Sequence, residues 1–469
     1  MRIGAPVRIA TDEDDRPHVT AVTEGHLRGL LSDRAKWRYV SAKGEPEPCA
    51  PPKDVVQDIL SLGSWPWPGL ANIIEAPTLR ADGTVLQTPG YDPQSRLYLV
   101  PTVEVPPIPE QPTGDELADA LKLIEEPFAD FPFADRASRA HAFALLFTAL
   151  LRHAIPGAVP LVLINAPQAR TGKSLLANVV SLIATGREAP MEDAPTAEDE
   201  FDKRILAMLM AGRTFCCFDN LERDLKAGAL ARAITAQFYG GRILGQSEEV
   251  QVAVRVTWCG TGNGLTLAGD MPWRVLWINL DAKTYRPAER SGFRHDRLPD
   301  WIRENRGRLL WAALTLARGW YNYGCPRPEG IVRWGGFDQW QHIVGGVLQT
   351  ACVMGFCANL RDTWDEADSD GTTWTVFLEA WLKNVGSGYY TVAEVIKVAH
   401  ECEQAGMPEF IAQFPPETVD LKTGRPNSRK LGNILKKRRG QRLDEHGLRI
   451  ESVTEPHRKV VAWGVVRDR

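Results

Sequence analysis

The sequence has no long uncharged apolar run and no cysteine pattern typical of a metal site. The nearest approach to a membrane segment, residues 142–151, is ended by Arg152 and His153, so it is too short to cross a bilayer. The amino terminus, Met1-Arg2-Ile3-Gly4, does not begin a signal-peptide apolar stretch. The eight cysteines include no Cys-x-x-Cys pair and no Cys/His cluster that would suggest zinc. We therefore expect a cytoplasmic protein with neither a membrane segment nor a zinc site.

The composition is that of a globular protein, but the charge is distributed unevenly. With 469 residues, the chain is long enough for about three domains. Its hydrophobic content of 44% and charged content of 24% are ordinary values. Residues 422–469 contain 14 lysines and arginines and 5 acidic residues, a net charge of +9, whereas the whole chain carries −4 and the preceding part therefore −13. This basic carboxy-terminal region favours an anionic partner such as DNA.

The most informative segment is a loop between an apolar strand and an amphipathic helix. Residues 159–164 form an almost unbroken apolar run, as in a buried parallel strand. Residues 174–183 have their apolar side chains at helical spacing, and Gly186 follows as a stop signal. In a strand, loop and helix of this order, the backbone N–H groups of the loop and of the helix amino terminus converge on one point, where they can bind phosphates.

The loop itself retains the chemically active residues of a phosphate-binding loop. Lys173 would reach the β- and γ-phosphates of ATP, and the Ser174 hydroxyl would ligate Mg²⁺. The full pattern has glycine where this chain has Pro167, and related loops often have glycine where it has Arg170, so the backbone is more restricted here. The alternative is an ordinary strand-to-helix turn. The residues predicted to contact nucleotide are Ala166, Pro167, Gln168, Ala169, Arg170, Thr171, Gly172, Lys173 and Ser174.

Three further residues follow Lys173 in the order of a P-loop ATPase. Asp219 ends the apolar strand 214–218 and would hold Mg²⁺ together with Ser174, unless it only begins an Asp–Asn turn. Asn263 follows a predicted strand at 252–259 and would orient the attacking water, although an Asn–Gly turn is the simpler alternative. Arg274 precedes the apolar run 275–280, where a lone arginine is usually a surface charge. In combination, these four residues predict a catalytic set.

In these motifs the chain resembles the superfamily 3 helicases, AAA+ type motors of viruses, plasmids and integrated phage elements. Residues 239–245, Tyr-Gly-Gly-Arg-Ile-Leu-Gly, are similar to the segment ahead of a DNA-contacting hairpin in phage members. Residues 267–274 are similar to the segment that delivers an arginine finger. Residues 76–83 and 89–92 resemble segments ahead of the motor in primase-helicases of prophages and related mobile elements. The resemblance covers roughly residues 55–360.

The resemblance implies a homo-oligomeric ring, expected to be a hexamer, with ATP bound between subunits. Lys173, Ser174, Asp219 and Asn263 would serve one face of the site, and Arg274 would enter from the next subunit. Single-stranded DNA would pass through the channel and contact the hairpin 242–256, including Arg242. Because no zinc cluster is present, the chain resembles the motor without the polymerising half, and a separate primase is a possible partner.

One position departs from the usual pattern of such motors. A glutamate often follows the Walker B aspartate, but this chain has Asn220. The carboxylate that activates water is therefore unassigned. Glu200 and Glu222 are candidates, although the pattern favours solvated helix residues for both.

The basic carboxy-terminal region has the pattern of a winged helix. Leu431, Ile434 and Leu435 form one apolar stripe of a predicted helix, and strands are predicted at 448–453 and 459–466 around a turn at 454–458. A helix at 391–403 precedes them. The basic helix would lie in a groove of duplex DNA, while the alternative is a solvated face of a small α+β domain. The predicted DNA-binding residues on this helix are Arg429, Lys430, Lys436, Lys437, Arg438 and Arg439.

The sequence as a whole predicts an α/β fold with a P-loop AAA+ type ATPase core, a helical lid, an amino-terminal α+β region and a carboxy-terminal winged helix. The predicted function is an ATP-dependent DNA helicase or replication initiator of a prophage or mobile element. The alternative is a non-motor DNA-binding origin or regulatory factor with a degenerate nucleotide site. The predicted segments are 1–100 (accessory domain), 101–113 (proline-rich linker), 114–158 (helical lead-in), 159–285 (ATPase core), 286–364 (lid), 365–371 (acidic hinge) and 372–469 (winged helix).

Overall fold

The computed structural model of the chain divides into two compact units, Met1–Arg361 and Asp362–Arg469. The structure describes residues 2, 4–13, 16–195, 197–221, 228–242, 249–267, 269–367, 369–420, 423–444, 446–454 and 461–468. Within these ranges, no helix is both long enough and apolar enough to cross a membrane.

The first hundred residues form small sheets and two short helices. A hairpin of β1 and β2 is followed by α1, a second hairpin of β3 and β4, and α2. Strands β5, β9 and β8 then form a three-stranded sheet around Ile74, Leu86, Leu97 and Leu99. The bounds are β1 Val7–Thr11, β2 Pro17–Ala21, α1 Glu24–Arg34, β3 Arg38–Val40, β4 Pro46–Pro48, α2 Lys53–Ser61, β5 Asn72–Ile74, β6 Thr78–Leu79, β7 Val85–Leu86, β8 Gly90–Tyr91 and β9 Leu97–Leu99.

The two segments at 76–83 and 89–92 contact each other. Arg80 donates from Nε and Nη2 to the Asp92 carboxylate at 3.2 and 3.1 Å, and both side chains are largely buried. The Arg80 guanidinium lowers the pKa of Asp92 to about 2. The charged groups of these segments therefore pair with one another inside the first unit.

Helices α3, Gly114–Glu125, and α4, Arg136–Leu151, lead into the central sheet. A capping box starts α3, because Thr113 accepts from the Glu116 N–H and the Glu116 side chain accepts from the Thr113 N–H. Helix α4 is buried on nearly all sides, as expected of a helix that is apolar around its circumference.

The central sheet has five parallel strands in the order β11, β12, β15, β10, β16. The chain leaves β10 towards β11 at one edge of the sheet and leaves β15 towards β16 at the other edge. The carboxyl ends of the neighbouring strands β10 and β15 therefore lie at a switch point, where open α/β sheets bind ligands. The bounds are β10 Leu161–Ala166, α5 Lys173–Thr185, β11 Met191–Asp193, α6 Glu198–Met210, β12 Phe215–Leu221, α7 Gly228–Thr235, β13 Phe238–Arg242, β14 Glu249–Ala253, β15 Thr257–Asn263 and β16 Val275–Asn279.

The prediction of one strand at 252–259 is wrong. Residues up to Ala253 belong to the antiparallel hairpin of β13 and β14, and β15 begins only at Thr257. The buried Arg152 accounts for the break, because its guanidinium donates to the carbonyl oxygens of Val254 and Val256 at 2.8 and 3.1 Å. These two carbonyls are therefore bound by a side chain and not by a neighbouring strand.

Helices follow the sheet. Helix α8 packs against α3 and α5, and the buried Arg306 on it donates to the Ile183 carbonyl at 3.0 Å. Within the predicted lid, α10 ends at Thr350, and Cys352, Gly355 and Cys357, which follow it, have positive φ angles. The bounds are α8 Leu298–Asn322, α9 Asp338–Trp340, a π-helical turn Gln341–Gly345, α10 Gly346–Thr350 and α11 Leu360–Ala367.

The second unit contains α12 Ser369–Asn384, α13 Val392–Gln404, α14 Glu409–Ala412, α15 Ser428–Arg438, β17 Arg449–Thr454 and β18 Val461–Val466. Trp374, Phe377 and Trp381 of α12 lie at the centre of its core. Strands β17 and β18 are antiparallel, and a bridge from Tyr390 to Trp463 adds a third extended segment. The predicted turn at 454–458 and Lys459 lie outside the described residues, apart from Thr454.

The described residues of the segment 365–371, predicted to be an acidic hinge, are helical. Residues 365–367 end α11 and residues 369–371 begin α12, while Asp368 lies outside the described residues.

We predict that His141 makes the stability of the first unit depend on pH. Its Nδ1–H donates to the Trp277 carbonyl at 2.6 Å, and its Nε2 accepts from the Cys357 N–H at 3.0 Å. Burial lowers the pKa of His141 from 6.5 to about 4. The neutral ring therefore contributes stability above pH 6.5 that is lost as pH falls towards 4, at up to about 1.4 kcal/mol per pH unit.

Calorimetry of wild type and His141→Gln between pH 7 and pH 4 checks this. Glutamine can donate and accept one hydrogen bond each but takes up no proton, so the variant should lose less stability over this range. Equal losses in the two proteins would contradict the assignment.

Candidate nucleotide site

The loop after β10 leads into α5 through a left-handed glycine. Gly172 precedes α5 with φ 101° and ψ 17°, a left-handed conformation in which glycine is favoured, and Lys173 begins the helix. Arg170 also has a positive φ, 62°. The position where related loops have glycine is therefore left-handed here, and arginine occupies it at a cost in backbone energy of about 1 kcal/mol.

Lys173 and Asn263, 90 residues apart in the chain, are in direct contact. The ammonium Nζ of Lys173 donates to the Asn263 side-chain oxygen at 2.7 Å. The lysine is 8% exposed. Burial lowers its pKa, and the negative charge of Asp219 opposes this effect. The structure thus brings three of the four predicted catalytic residues together at the carboxyl edge of the sheet.

Asp219 lies beside the first turn of α5. Its Oδ1 accepts from the Ser174 hydroxyl at 3.2 Å and from the Thr261 hydroxyl. Asn220 follows in a left-handed conformation, φ 50°, and its N–H donates to the Thr261 hydroxyl at 3.3 Å. A carboxylate and a hydroxyl at a helix amino terminus are the oxygen ligands that suit Mg²⁺ when phosphates and water complete its shell. The residues present therefore fit the metal.

Hydrogen bonds of Asn165 and Gly264 also support this edge of the sheet, and no motif of the sequence indicates these roles. Asn165 donates to the Asn279 side-chain oxygen at 3.2 Å and accepts from the Leu265 N–H at 3.2 Å. The Gly264 N–H donates to the Ala166 carbonyl at 3.1 Å. These bonds fix the segments after β15 and β16 to β10. The contacts of Thr261 with Asp219 and Asn220 depend on the pairing of β15 with β12. No local sequence pattern reveals that pairing.

Arg274 lies far from the site of its own chain. Val275 pairs with Leu161, at the amino end of β10, whereas the phosphate-binding loop follows Ala166 at the carboxyl end. The five residue steps from Leu161 to Ala166 span roughly 17 Å of strand. Arg274 Nη1 instead donates to the Asp270 carbonyl at 2.6 Å and lies 3.5 Å from the Asp270 carboxylate. The guanidinium cannot reach a nucleotide held by Lys173 of the same chain.

Of the two candidates for the water-activating carboxylate, the structure describes only Glu200. Glu200 lies in the exposed first turn of α6, 3.8 Å from the Lys203 ammonium. Glu222 lies outside the described residues.

An apolar cavity of about 280 Å³ borders the phosphate-binding loop. Phe131, Leu175 and Phe293 form part of its wall beside Gly172. Polar groups at the wall bind one another, since His295 Nε2 lies 3.0 Å from the Glu126 carboxylate and the Arg294 N–H donates to Asp130 at 2.7 Å. Residues distant in sequence build this cavity, so no sequence motif marks it.

The predicted DNA-binding residues differ in their surroundings. In the first unit, Arg242 ends β13, is highly exposed and lies 3.7 Å from the Glu249 carboxylate; residues 243–248 of its hairpin lie outside the described residues. In the second unit, Lys430 donates to the Val419 carbonyl at 2.9 Å, and the Arg438 guanidinium lies over the Trp374 ring at 5.0 Å. The basic residues of α15 and its carboxyl end that are exposed without such a contact are Arg429, Lys436, Lys437 and Arg439.

The described part of the chain contains no group of three or more His, Cys, Asp or Glu side chains that could hold a metal ion. A metal at the candidate nucleotide site would therefore depend on phosphate and water oxygens in addition to Ser174 and Asp219.

No family model matches the sequence, and no curated protein matches it. Among solved structures, the A form apo structure of the NrS-1 C-terminal region is similar, with 12% identity, a TM-score of 0.42, and coverage of 98% of this chain and 96% of that one. The active helicase Cch of SCCmec type IV has 12% identity, a TM-score of 0.33, and coverage of 86% and 78%. At these values the likeness is slight, and the proposals below depend on the geometry of this chain.

We predict that Gly172→Ala weakens nucleotide binding about tenfold. A Cβ at this position has room, since its nearest neighbour would be a Phe131 ring carbon at 3.6 Å, so the cost arises from the left-handed backbone. An alanine in this left-handed conformation costs about 1–2 kcal/mol. Alternatively the loop rearranges to avoid that cost, and its N–H groups then no longer converge. Titration with a fluorescent ATP analogue measures the effect.

Gly324→Ala is the matched control. Gly324 has φ +84°, and no heavy atom lies within 4 Å of the place that a Cβ would occupy, so the variant has a similar backbone cost away from the loop. Its nucleotide affinity should equal that of wild type. A Gly172→Ala protein that binds nucleotide normally would show that the loop is not the phosphate site.

Proposed function

We propose that the chain is a P-loop ATPase that acts as a DNA helicase or replication initiator. The observation that carries the proposal is the convergence of Lys173, Asn263, Ser174 and Asp219 at the carboxyl edge of a parallel sheet. An ammonium, an amide and a carboxylate at a helix amino terminus can bind, orient and cleave a nucleoside triphosphate. ATP and Mg²⁺ are the proposed ligands.

Each residue has a separate task in this proposal. Lys173 leaves the Asn263 oxygen and binds the β- and γ-phosphates, since a charged phosphate oxygen is a stronger acceptor than an amide. The freed Asn263 amide orients the attacking water. Ser174 and Asp219 hold Mg²⁺, which neutralises phosphate charge when bound. Asn220 can orient water but cannot accept its proton, and turnover is therefore slow.

The apolar cavity beside Gly172 receives the nucleoside. Its volume of about 280 Å³ and its Phe131 and Phe293 walls suit a flat, weakly polar base. The neighbouring loop then holds the phosphates. Base and phosphate sites thus adjoin on either side of the helix start.

ATP hydrolysis depends on a second copy of the chain. Because Arg274 lies at the opposite end of the strands from Lys173 of its own chain, it acts on the nucleotide of a neighbour, where its charge stabilises the transferred phosphoryl group. A closed ring, a hexamer as the superfamily 3 resemblance implies, provides this neighbour for every site. Single-stranded DNA passes through the ring and contacts the hairpin that includes Arg242.

The second unit is proposed to bind duplex DNA as a winged helix. Its order of helix α12, the Tyr390 extended segment, α13, α15 and the hairpin β17–β18 fits such a domain. The side chains of Arg429, Lys436, Lys437 and Arg439 are exposed to contact phosphates. The resemblance to prophage and mobile-element primase-helicases suggests replication of such an element in the cytoplasm, with a separate primase as partner.

A non-motor DNA-binding factor with a structural nucleotide is the second candidate. The left-handed Arg170 and Asn220 favour it, because both replace residues that faster ATPases have at these positions. ATPase activity of size-fractionated protein, measured with and without single-stranded DNA, separates the two functions. Stimulated turnover in the oligomeric fraction supports the motor, and bound but unhydrolysed ATP supports the alternative.

We predict that Lys173→Ala and Arg274→Ala each abolish ATP hydrolysis and forked-DNA unwinding, for different reasons. Lys173→Ala loses nucleotide affinity, whereas Arg274→Ala retains it, since Arg274 does not contact the nucleotide of its own chain. Mixed in equal amounts, the two inactive proteins should regain partial activity. About a quarter of random interfaces then combine an intact lysine with an intact arginine from its neighbour.

Arg242→Ala is the control for this mixture, because it leaves both halves of the site intact and should keep basal ATPase activity. An active Lys173→Ala protein would disprove the motor. Mixtures that remain inactive would contradict a site shared between copies.

We predict that the exposed basic end of α15 provides salt-dependent affinity for duplex DNA. Replacing Lys436, Lys437 and Arg439 together with alanine should lower the slope of log affinity against log salt by about 2–3. The Lys383→Ala/Lys397→Ala protein, altered at exposed lysines on other helices of the unit, is the control. Fluorescence anisotropy at several salt concentrations measures both, and equal slopes would contradict the assignment.

A further inference from the structure

We propose that Thr261 is a positioning residue that holds the metal-binding carboxylate of Asp219 in its working orientation. The proposal rests on the nucleotide site proposed above and adds to it a residue that touches neither metal nor nucleotide. Thr261 is 1% exposed, and its hydroxyl bonds to two consecutive residues of the neighbouring strand.

The strand pairing explains why this hydroxyl is needed. Phe218 pairs with Gly260, and Leu221 pairs with Gly262, so two residues of β12, Asp219 and Asn220, lie opposite the single residue Thr261. Such a bulge leaves the backbone groups of the extra residue outside the ladder. The Thr261 hydroxyl accepts from the Asn220 N–H at 3.3 Å and thereby satisfies the group that the bulge exposes.

The same hydroxyl has its proton available for Asp219. It donates to Oδ1, the oxygen that also accepts from Ser174 at 3.2 Å. Held by one hydroxyl from each side, the carboxylate has a fixed orientation towards the start of α5. One side chain therefore sets both the position of the metal-binding oxygen and the left-handed backbone that follows it.

Thr261 also couples this carboxylate to Asn263. Residues two apart on a strand face the same side of the sheet, and both side chains project from β15 towards the site, where Asn263 meets Lys173. A shift of β15 would move the bonds to Asp219 and to Lys173 together. The metal and the γ-phosphate are thus positioned from a single strand.

The test replaces the hydroxyl while keeping the shape. Thr261→Val removes the hydroxyl, and Thr261→Ser keeps it but removes the methyl group. Thr257→Val is the matched control, because Thr257 lies on the same strand, is fully buried, and has a hydroxyl without a hydrogen-bond partner among the described residues. Binding of a fluorescent ATP analogue is measured in EDTA and during a titration with Mg²⁺, with ATPase activity as a second readout.

Thr261→Val should bind the analogue in EDTA as wild type does, because Lys173 and the loop are unchanged. The Mg²⁺ concentration for half-maximal effect should rise about 10–100-fold, the usual consequence of losing a group that orients a metal ligand. Thr261→Ser and Thr257→Val should titrate as wild type does. Thermal unfolding of all variants confirms that each is folded.

Three results overturn the proposal. The first is a Thr261→Val protein that titrates with Mg²⁺ like wild type. The second is a Thr261→Ser protein as defective as the valine variant, which would assign the effect to methyl packing. The third is a loss of analogue binding in EDTA, which would show that Thr261 supports the whole loop. If the wild-type protein shows no Mg²⁺-dependent binding of the analogue, the proposed ATPase is overturned together with the role of Thr261. This result is distinguishable from a failure of the Thr261 proposal alone, in which the wild-type protein still responds to Mg²⁺.

Discussion

The register of β15 between β10 and β12 is the constraint on which the candidate site depends. Along Gly260-Thr261-Gly262-Asn263, the two polar side chains face the site and the two glycines face the opposite side. A Cβ at Gly260 would lie 2.7 Å from Leu163 and Leu221 side-chain carbons, and one at Gly262 would lie 2.5 Å from Leu265. A slip by one residue would drive threonine and asparagine into this crowded face. Close packing around the two glycines on one face of β15 therefore keeps Thr261 and Asn263 on the face that carries the candidate site.

The amino ends of the same strands are fixed by a single buried cation. Arg152, the residue after α4, donates to carbonyls on both sides: Ile155 and Gly157 ahead of β10, and Val254 and Val256 ahead of β15. Burial lowers the pKa of Arg152 to about 9, so it stays charged at neutral pH. Its bonds separate the hairpin of β13 and β14 from β15. The strand that carries Thr261 and Asn263 is thus held at one end by Arg152 and aligned at the other by its glycines.

The features predictable from the sequence are those encoded by neighbours in the chain. Gly172 and Lys173 identify the helix start because turn and helix signals are local, and the apolar runs that contain β10 and β12 are visible for the same reason. The break at 254–256 depends on Arg152, about a hundred residues away, so a continuous apolar run predicts one strand where two exist. Thr261, Asn165 and the Phe131 cavity have roles only once strands and loops are paired in space. Local sequence patterns do not predict that pairing.

The contact between Lys173 and Asn263 joins the start of α5 to the carboxyl end of β15. Within the proposed ATPase, the lysine must exchange the amide oxygen for a phosphate, which releases Asn263 at the moment when a water has to be oriented. Burial lowers the pKa of Lys173, and the negative charge of Asp219 opposes this effect. In that proposal a phosphate that binds Lys173 also affects β15, two residues from Thr261 and its bond to Asp219. Arg274 lies at the other end of these strands, so the proposed ATPase would need the arginine of another copy to complete its site.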